Sequence, residues 1–429
     1  MYLPFSICID GIDAFIRSIF KKKHEEQQHG SLNGGSHVSS LGNYDFTILI
    51  PSYNASKHLS KTLENLEEYK DKVLIVDDAS KDDTSRIALE RGYRVLKNPM
   101  NGKKVGAIAK GLEEVDSTYT VLIDSDTCIL EGKIEELVGL MEIEKLDGCA
   151  VKVMPSTRNG LLENLQRIEY AKAMSLGRGS MGGTGKPLVP CISGAFGIFR
   201  TDVLKKITQE QLHNGSFWEG EDFERTLRII ERGGRVSCCN EIEVVTDIPI
   251  TLKDFTKQRI TWQCGYLRCH WSFKKMILRK DKLGFSFIFN YIFNIIGHPF
   301  KLFSIVPLLM ISRIETLLIF YGVYLILETI LARISLTEEE WKQSRKYIPL
   351  IPLYGLYQLL VPTTIGYLKI IVTVDARKKF RLAKCPKCKR LTPYKTWRKD
   401  SETNKWISLK LDTIKCRRCG TSNPIRREK

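Results

Sequence analysis

"KVLIVDDASKDDTSRIALERGYRVLKN", Lys72 to Asn98, reads as strand, helix, strand. The apolar β-formers Val73 to Val76 end in Asp77 and Asp78, a polar helical segment covers 82 to 91, and "YRVLKN" resumes the strand pattern. Two strands joined by a helix run parallel, because the helix carries the chain back to the edge where the first strand began. The alternation extends both ways. Upstream, "FTILIPS" is a strand and 57 to 69 a helix; downstream, 103 to 115 is a helix and "YTVLIDSD" a strand. Strands this apolar need helices over both faces, so the chain predicts an α/β fold built on a doubly wound, mostly parallel sheet.

In such sheets ligands sit outside the carboxyl ends of the strands. Those ends are polar here: Ser52 and Asn54, Asp77 and Asp78, Asn98, then Asp124 and Asp126. In "TVLIDSDTCIL", Thr120 to Leu130, strand alternation puts Asp124 and Asp126 on one face, where they repel unless water, a cation or a donor separates them. A turn explains such a pair when it stands alone. A hard divalent metal explains it when other polar strand ends converge beside it. Asp77 and Asp78 can accept hydrogen bonds from a base or ribose. "NPMNGKKVGAIAKGL" opens a helix with Gly102 and Lys104, which suits a diphosphate or a solvated first turn. Gly194 and Gly197 in "ISGAFGIFR" imply close backbone approach. In "WEGEDFERTLRII", Glu221 and Asp222 either complement a helix dipole or supply a general base. Gln258, Arg259 and Trp262 share one predicted helix, and the indole either stacks on a sugar or fills core.

The 429 residues include 66 basic and 49 acidic ones, a net charge of +17 that suits nucleic acid, an anionic membrane face or a phosphorylated substrate. Its distribution favours a membrane: Lys274, Lys275, Arg279, Lys280 and Lys282 precede one apolar segment, and Arg377, Lys378, Lys379, Arg381 and Lys384 follow another. Three apolar blocks, 285–311, 316–334 and 348–374, are each about the ~20 residues that cross a bilayer. With cytoplasmic domains on both sides the number of spans is even, which predicts two, the first or third block being interfacial or re-entrant. Residues 1–26 read as an amphipathic interfacial helix without a secretory signal, and 27–43, rich in Gly, Ser and Asn, as a linker. Twelve scattered cysteines indicate a reducing compartment. Four of them, Cys385 and Cys388 in "CPKC" and Cys416 and Cys419 in "CRRC", have the spacing of a closed, structural zinc site made of four thiolates.

Taken in order, "ILIPSYNASKHLSKTLENL", "VLIVDDASKDDT", "GKKVGAIAKGL", "VLIDSDT", "SGAFGIFR", "EGEDFERTLRIIERGGRV" and "QRITW" resemble family 2 glycosyltransferases over about residues 44 to 275. The subgroup they look like is the membrane-embedded polysaccharide synthases related to cellulose, chitin and hyaluronan synthases. The resemblance implies a GT-A fold and inverting transfer from a nucleotide-diphosphate sugar, a UDP-sugar being the expected donor. By position it implies Pro51, Tyr53 and Asn54 at the base with Asp77 or Asp78, Lys104 near the diphosphate, and Asp124 facing the donor nucleotide. Asp126 would hold Mg²⁺ or Mn²⁺, Asp222 would be the base with Glu221 beside it, and Gln258, Arg259 and Trp262 would border acceptor and phosphates.

The expected layout is then a GT-A domain over 44–280, membrane-associated helices over 281–376 and a zinc ribbon over 377–429. The protein would be integral to the membrane, with transferase domain and ribbon cytoplasmic. Expected partners are a nucleotide-sugar donor, a glycan or lipid-linked acceptor and the membrane; a homo-oligomer or an export partner stays open. One departure stands out. The processive signature places Arg directly before its Trp, and this chain has Thr261 there, which favours weighing a glycolipid transferase that adds one sugar. A membrane-tethered nucleic-acid-binding protein would leave Asp124, Asp126 and Asp222 without a task, so nucleic acid is disfavoured.

Overall fold

The computed structural model describes residues 45–156, 160–178, 189–213, 220–298 and 314–377, with six short strands between 381 and 424. The predicted helix over 1–26, the linker 27–43 and the four zinc-motif cysteines lie outside the described residues. Chain order begins with β1 (Phe46–Ser52), α1 (Leu59–Asn65), β2 (Val73–Asp77), α2 (Thr84–Glu90), β3 (Arg94–Lys97), α3 (Lys103–Leu112) and β4 (Tyr119–Ile123), the alternation expected from the sequence. It continues with β5 (Thr127–Glu131), α4 (Ile134–Ile143), β6 (Gly148–Pro155), α5 (Leu161–Lys172), β7 (Phe196–Arg200), α6 (Thr201–His213), α7 (Glu221–Glu231), β8 (Val236–Thr246) and α8 (Leu252–Ser272).

These strands form one sheet in the order β3-β2-β1-β4-β7-β6-β8-β5. The pairings β3/β2, β2/β1, β1/β4 and β6/β8 are parallel. The second half departs from the expectation: β7 runs antiparallel to both β4 and β6, and β5 antiparallel to β8. The cause is local. The Asp124 N–H donates to the Ala195 carbonyl at 3.0 Å, which seats the chain entering β7 against the carboxyl end of β4, so β7 can only run back along it.

The strand period of two divides the apolar side chains between two cores. Ile48, Ile50, Ile75, Val121 and Ile123 pack with Leu59 and Leu63 of α1 on one face. Leu49, Leu74, Val76 and Leu122 pack with Ala107, Ile108 and Leu112 of α3 on the other.

A third cluster joins Leu165, Ile168 and Ala171 of α5 to Ala332 and Leu336 and to Ile348 and Ile351. The last four come from the C-terminal segments: α9 (Lys282–Phe289), α10 (Ile314–Ser335), α11 (Glu338–Ser344) and α12 (Ile351–Gln358) follow α8, with Leu336 just after α10 and Ile348 in the 3₁₀ turn before α12. Lys172 of α5 forms a buried ion pair with Glu328 of α10. By length and composition two described helical runs, Ile314–Ser335 and Glu338–Ile370, suffice to cross a membrane, and among the described residues of the first apolar block there is a shorter apolar helix, Leu283–Ile292.

From Thr364 the chain forms a second unit. It has a helix, Thr364–Arg377, and three antiparallel strand pairs: Arg381–Lys384 with Leu391–Tyr394, Trp397–Lys399 with Trp406–Ser408, and Thr413–Lys415 with Ser422–Pro424. In sequence, each CxxC falls between the two strands of a pair.

Gly111 is where α3 comes down on the sheet. A Cβ there would run into Leu49 Cδ1 and stand 2.9 Å from Val76 Cγ2, both on the sheet face that α3 covers. Gly111→Ala is therefore expected to destabilise the fold by about 1–3 kcal/mol through overpacking. Denaturant unfolding measures it; an unchanged midpoint would show that the helix has room to move away.

Candidate functional site

The polar strand ends predicted to converge do so. The Asp78 N–H donates to the Ser52 carbonyl at 2.8 Å, and the Asn98 N–H to the Asp77 carbonyl at 2.8 Å, fastening three neighbouring strand ends together. Both carboxylates are buried and spent on this framework. Asp77 accepts from the Ser80 N–H at 2.9 Å and from the Ser85 hydroxyl. Asp78 accepts from Asn98 Nδ2 and from the Gly102 N–H, each at 2.8 Å. In this structure they shape the loops at the strand ends. Pro51 is buried in β1, whereas Tyr53 and Asn54 are exposed at its end. Asn54 takes a left-handed φ of 52° and accepts the Lys81 N–H at 2.8 Å.

Asp124, Ser125 and Asp126 form the connection between β4 and β5, closed by the Thr127 N–H donating to the Asp124 carbonyl at 3.1 Å. The turn reading of this stretch was correct, and the same turn delivers Asp124 to a charged centre. Lys104, in the first turn of α3, is ion-paired with Asp124, donates to the Gly194 carbonyl at 2.9 Å and lies 3.9 Å from Glu221. Asp222 joins from α7: its Oδ2 accepts the Gly194 N–H at 3.0 Å and its Oδ1 the Phe223 N–H at 2.8 Å. Gly194 is the hinge pin. A Cβ there would come within 2.8 Å of Lys104 Nζ and 3.5 Å of Asp222 Oδ2, so a side chain would push the ammonium and the carboxylate apart.

Electrostatics follow the crowding. Burial pushes the Asp124 carboxyl up against the pull of Lys104, with Asp126 and Asp222 adding to the rise. Burial and then Asp222 push Glu221 up. Burial works against the Lys104 ammonium, but Asp124, Glu221 and Asp222 outweigh it and hold its pKa above the usual lysine value. Asp126 points away from this knot, accepting from the Thr246 hydroxyl at 3.3 Å, and its pKa is raised by burial, with Lys104 opposing and Asp247 reinforcing the rise. Beside it opens a polar cavity of about 220 Å³ lined by His58, Lys61, Ser156 and Asp247 among others. His58 and Asp247 were not foreseen; nothing local to their sequence marks them.

The third predicted group divides. Gln258 and Trp262 lie on α8, Trp262 39% exposed, but Arg259 is wholly buried. Its two terminal nitrogens donate to the two oxygens of Glu169, at 2.9 and 3.0 Å. Both prongs of its fork are taken, so Arg259 does not replace the guanidinium absent at Thr261.

Residues 47–208 match the family described as Glycosyl transferase family 2. The chain carries a family 2 glycosyltransferase domain. That makes it an enzyme of the glycosyltransferase class, on a mixed-sheet fold of the GT-A type. Among similar proteins are the uncharacterized glycosyltransferase YaiP of Escherichia coli (strain K12), 26% identical over 294 residues, which are 66% of this chain and 65% of that protein. A hyaluronan synthase of Streptococcus pyogenes serotype M1 is 27% identical over 340 residues, 74% of this chain and 78% of that one. A poly-beta-1,6-N-acetyl-D-glucosamine synthase of Staphylococcus epidermidis is 24% identical over 249 residues, 53% and 56%. This chain therefore spans less than two thirds of the first and third of these glycosyltransferases. Of solved structures, the mannosyltransferase PcManGT from Pyrobaculum calidifontis, in complex with GDP-Man and Mn²⁺, aligns with a TM-score of 0.46 at 15% identity, covering 74% of this chain and 88% of that one.

Lys104→Met would leave Asp124, Glu221 and Asp222 to face one another. The raised pKa of Lys104 means that its stabilisation is complete at neutral pH and would be lost only as pH climbs through that raised value. Asp124 and Glu221 take up protons more readily than ordinary carboxylates, so their mutual repulsion fades on acidification. The variant is expected to lose about 1–3 kcal/mol at pH 7, less than a fully buried pair because a quarter to a third of these side chains is accessible. The loss should shrink toward pH 5. Denaturant titrations at the two pH values check this, and a deficit that grows on acidification would contradict it.

Proposed function

We propose that this chain transfers a sugar from a UDP-sugar, with inversion, to a growing polysaccharide or lipid-linked glycan at a membrane. The observation that carries the reading is the convergence of Lys104, Asp124, Glu221 and Asp222 at the carboxyl edge of the sheet, with their side chains still partly accessible. In the reaction an acceptor hydroxyl forms the new bond to the anomeric carbon as the bond to the diphosphate oxygen breaks. The proton passes to Asp222, and the electron pair leaves with the diphosphate. Lys104, released from Asp124, neutralises charge growing on the diphosphate. Tyr53 and Asn54 flank the nucleotide base, and Asp124 faces the donor nucleotide.

The donor set fits a hard divalent ion. Among the described residues no three His, Cys, Asp or Glu side chains are grouped to cage a metal. Mg²⁺ and Mn²⁺ need no such cage, since one or two carboxylates complete a shell made mainly of substrate phosphates and water. Asp126 would supply that carboxylate, and the ion would act as a Lewis acid on the diphosphate.

Membrane association draws support from the two long apolar helical runs and the exposed Leu318, Ile319, Val323, Ile326 and Leu327 of α10. A cytoplasmic transferase domain accords with its cysteines: Cys128, Cys149, Cys191, Cys238, Cys239, Cys264 and Cys269 are all outside disulfides. For the polymer reading, the relatives named as synthases give support. For single additions, Thr261 and the occupied Arg259 give support; product mass analysis after incubation with a panel of nucleotide sugars separates the two.

Asp222→Asn is expected to cut transfer by at least about 10²-fold while donor affinity stays within a few-fold, and Asp126→Ala to abolish the metal dependence of donor binding. Turnover measured beside donor titrations checks both; full activity of either, or wild-type activity in excess chelator, would overturn that assignment. For the tail, we propose that Cys385, Cys388, Cys416 and Cys419 hold one structural Zn²⁺. Elemental analysis of the full chain should find about one zinc per molecule, lost in a Cys388→Ser, Cys416→Ser double variant. A zinc-free wild type with reduced thiols would end the claim.

A further inference from the structure

We propose that Arg259 is a positioning residue for Trp262, and that the apolar helical run beginning at Glu338 completes the support of that indole through Glu169. This rests on the transferase reading above, in which Trp262 borders the acceptor. A guanidinium with no exposed surface needs a buried counter-charge, and Glu169 supplies it through a two-pronged ion pair to the terminal nitrogens, Nε having no hydrogen-bond partner among the described residues. The flat face of the same guanidinium lies 4.4 Å from the Trp262 ring centre and 4.8 Å from that of Phe255. Tyr170, next to Glu169 on α5, approaches the indole with ring centres 6.4 Å apart. Trp262 is thus held from behind by a stacked cation and an aromatic neighbour, leaving 39% of the residue open to a ligand. That open indole surface is apolar, flat and rigid, which suits the C–H face of a sugar ring.

Glu169 is the other half of the device. Besides Arg259 it accepts the Tyr354 hydroxyl, and Gln358 Nε2 lies 3.4 Å from the same Oε2. Tyr354 and Gln358 both belong to α12, inside the long apolar run. Beside them the Tyr357 hydroxyl meets the Thr256 hydroxyl of α8 at 2.6 Å, and the Tyr354 ring sits 5.5 Å from Phe255. The apolar run therefore touches the helix that bears Trp262 directly and, through Glu169, the cation beneath it. Displacing α12 removes two of the partners that fix Glu169, and Glu169 fixes Arg259. Seating of this helix in its surroundings is in this way linked to the geometry of the acceptor platform.

The test uses the full chain in lipid nanodiscs. Tyr354→Phe deletes one hydroxyl and keeps the ring; Arg259→Lys keeps the charge but can neither fork onto Glu169 nor stack on the indole. Each is also made in a Trp262→Phe background, so that acrylamide quenching of Trp262 alone is obtained by difference. Both variants are expected to raise the quenching of Trp262 and, with the donor identified by the nucleotide-sugar panel and its oligomeric product as acceptor, to raise the acceptor KM by on the order of tenfold. Donor KM should stay within about twofold. A role in folding alone would leave the acceptor and donor constants moving together.

Quenching and acceptor KM unchanged in Tyr354→Phe would overturn the link to α12. A tenfold rise in donor KM with unchanged quenching in Arg259→Lys would overturn the positioning role in favour of a phosphate contact. Should the wild type transfer no sugar from any donor, the transferase reading fails, and the quenching difference still decides whether Arg259 and Tyr354 hold the indole.

Discussion

One ammonium among three carboxylates organises the catalytic half of this molecule. Lys104 lies on the helix after β3, Asp124 at the end of β4, and Glu221 and Asp222 on a helix that begins almost a hundred residues later. Brought together without a cation, three acids in a partly dry crevice would repel strongly. With Lys104 between them, and with the Gly194 carbonyl and N–H holding Lys104 and Asp222, one positive charge offsets part of that repulsion and keeps the centre compact. The requirement reaches back into the topology. Gly194 can stand there only because β7 turns back antiparallel along β4, and this reversal is where the sheet stops being parallel.

The first half of the fold was legible because its signal is local. Alternating apolar runs and helices between 46 and 123 state the parallel order, and odd and even strand residues divide cleanly between two cores. The polar character of 124 and 126 was legible too, since the turn after β4 is the one that brings Asp124 to Lys104. Sequence said less where a residue's role depends on a partner far along the chain. The buried contacts of Asp77 and Asp78 come from Ser85, Asn98 and Gly102, residues that read equally well as ordinary loop formers. Arg259 looked available for phosphate because Glu169, 90 residues upstream, carries no motif that announces it. The antiparallel course of β7 was hidden for the same reason: period and composition do not encode strand direction.

Helix α8 then has two faces of different character. One buries Phe255, Arg259 and Gln263; Trp262 lies at its edge, partly open, and Thr261, half-covered, projects about 200° around the helix from Arg259. A second guanidinium at 261 would have placed positive charge near the indole on the open side. Threonine leaves that side uncharged, and the cations near the polar strand ends include Lys104 and, lining the cavity beside Asp126, Lys61.

Glu328 bears on how deeply the apolar helix α10 can be immersed. Its carboxylate is buried against Lys172, and Ala332 and Leu336, one and two turns on, are packed into the transferase domain. Among the described residues of α10, the fourteen from Ile314 to Leu327 precede Glu328. At 1.5 Å per residue they reach about 21 Å, short of the ~30 Å hydrocarbon thickness of a typical bilayer. The described stretch ahead of Glu328 is thus shorter than that thickness, while Glu328, Ala332 and Leu336 tie the other end of the helical run to the transferase domain.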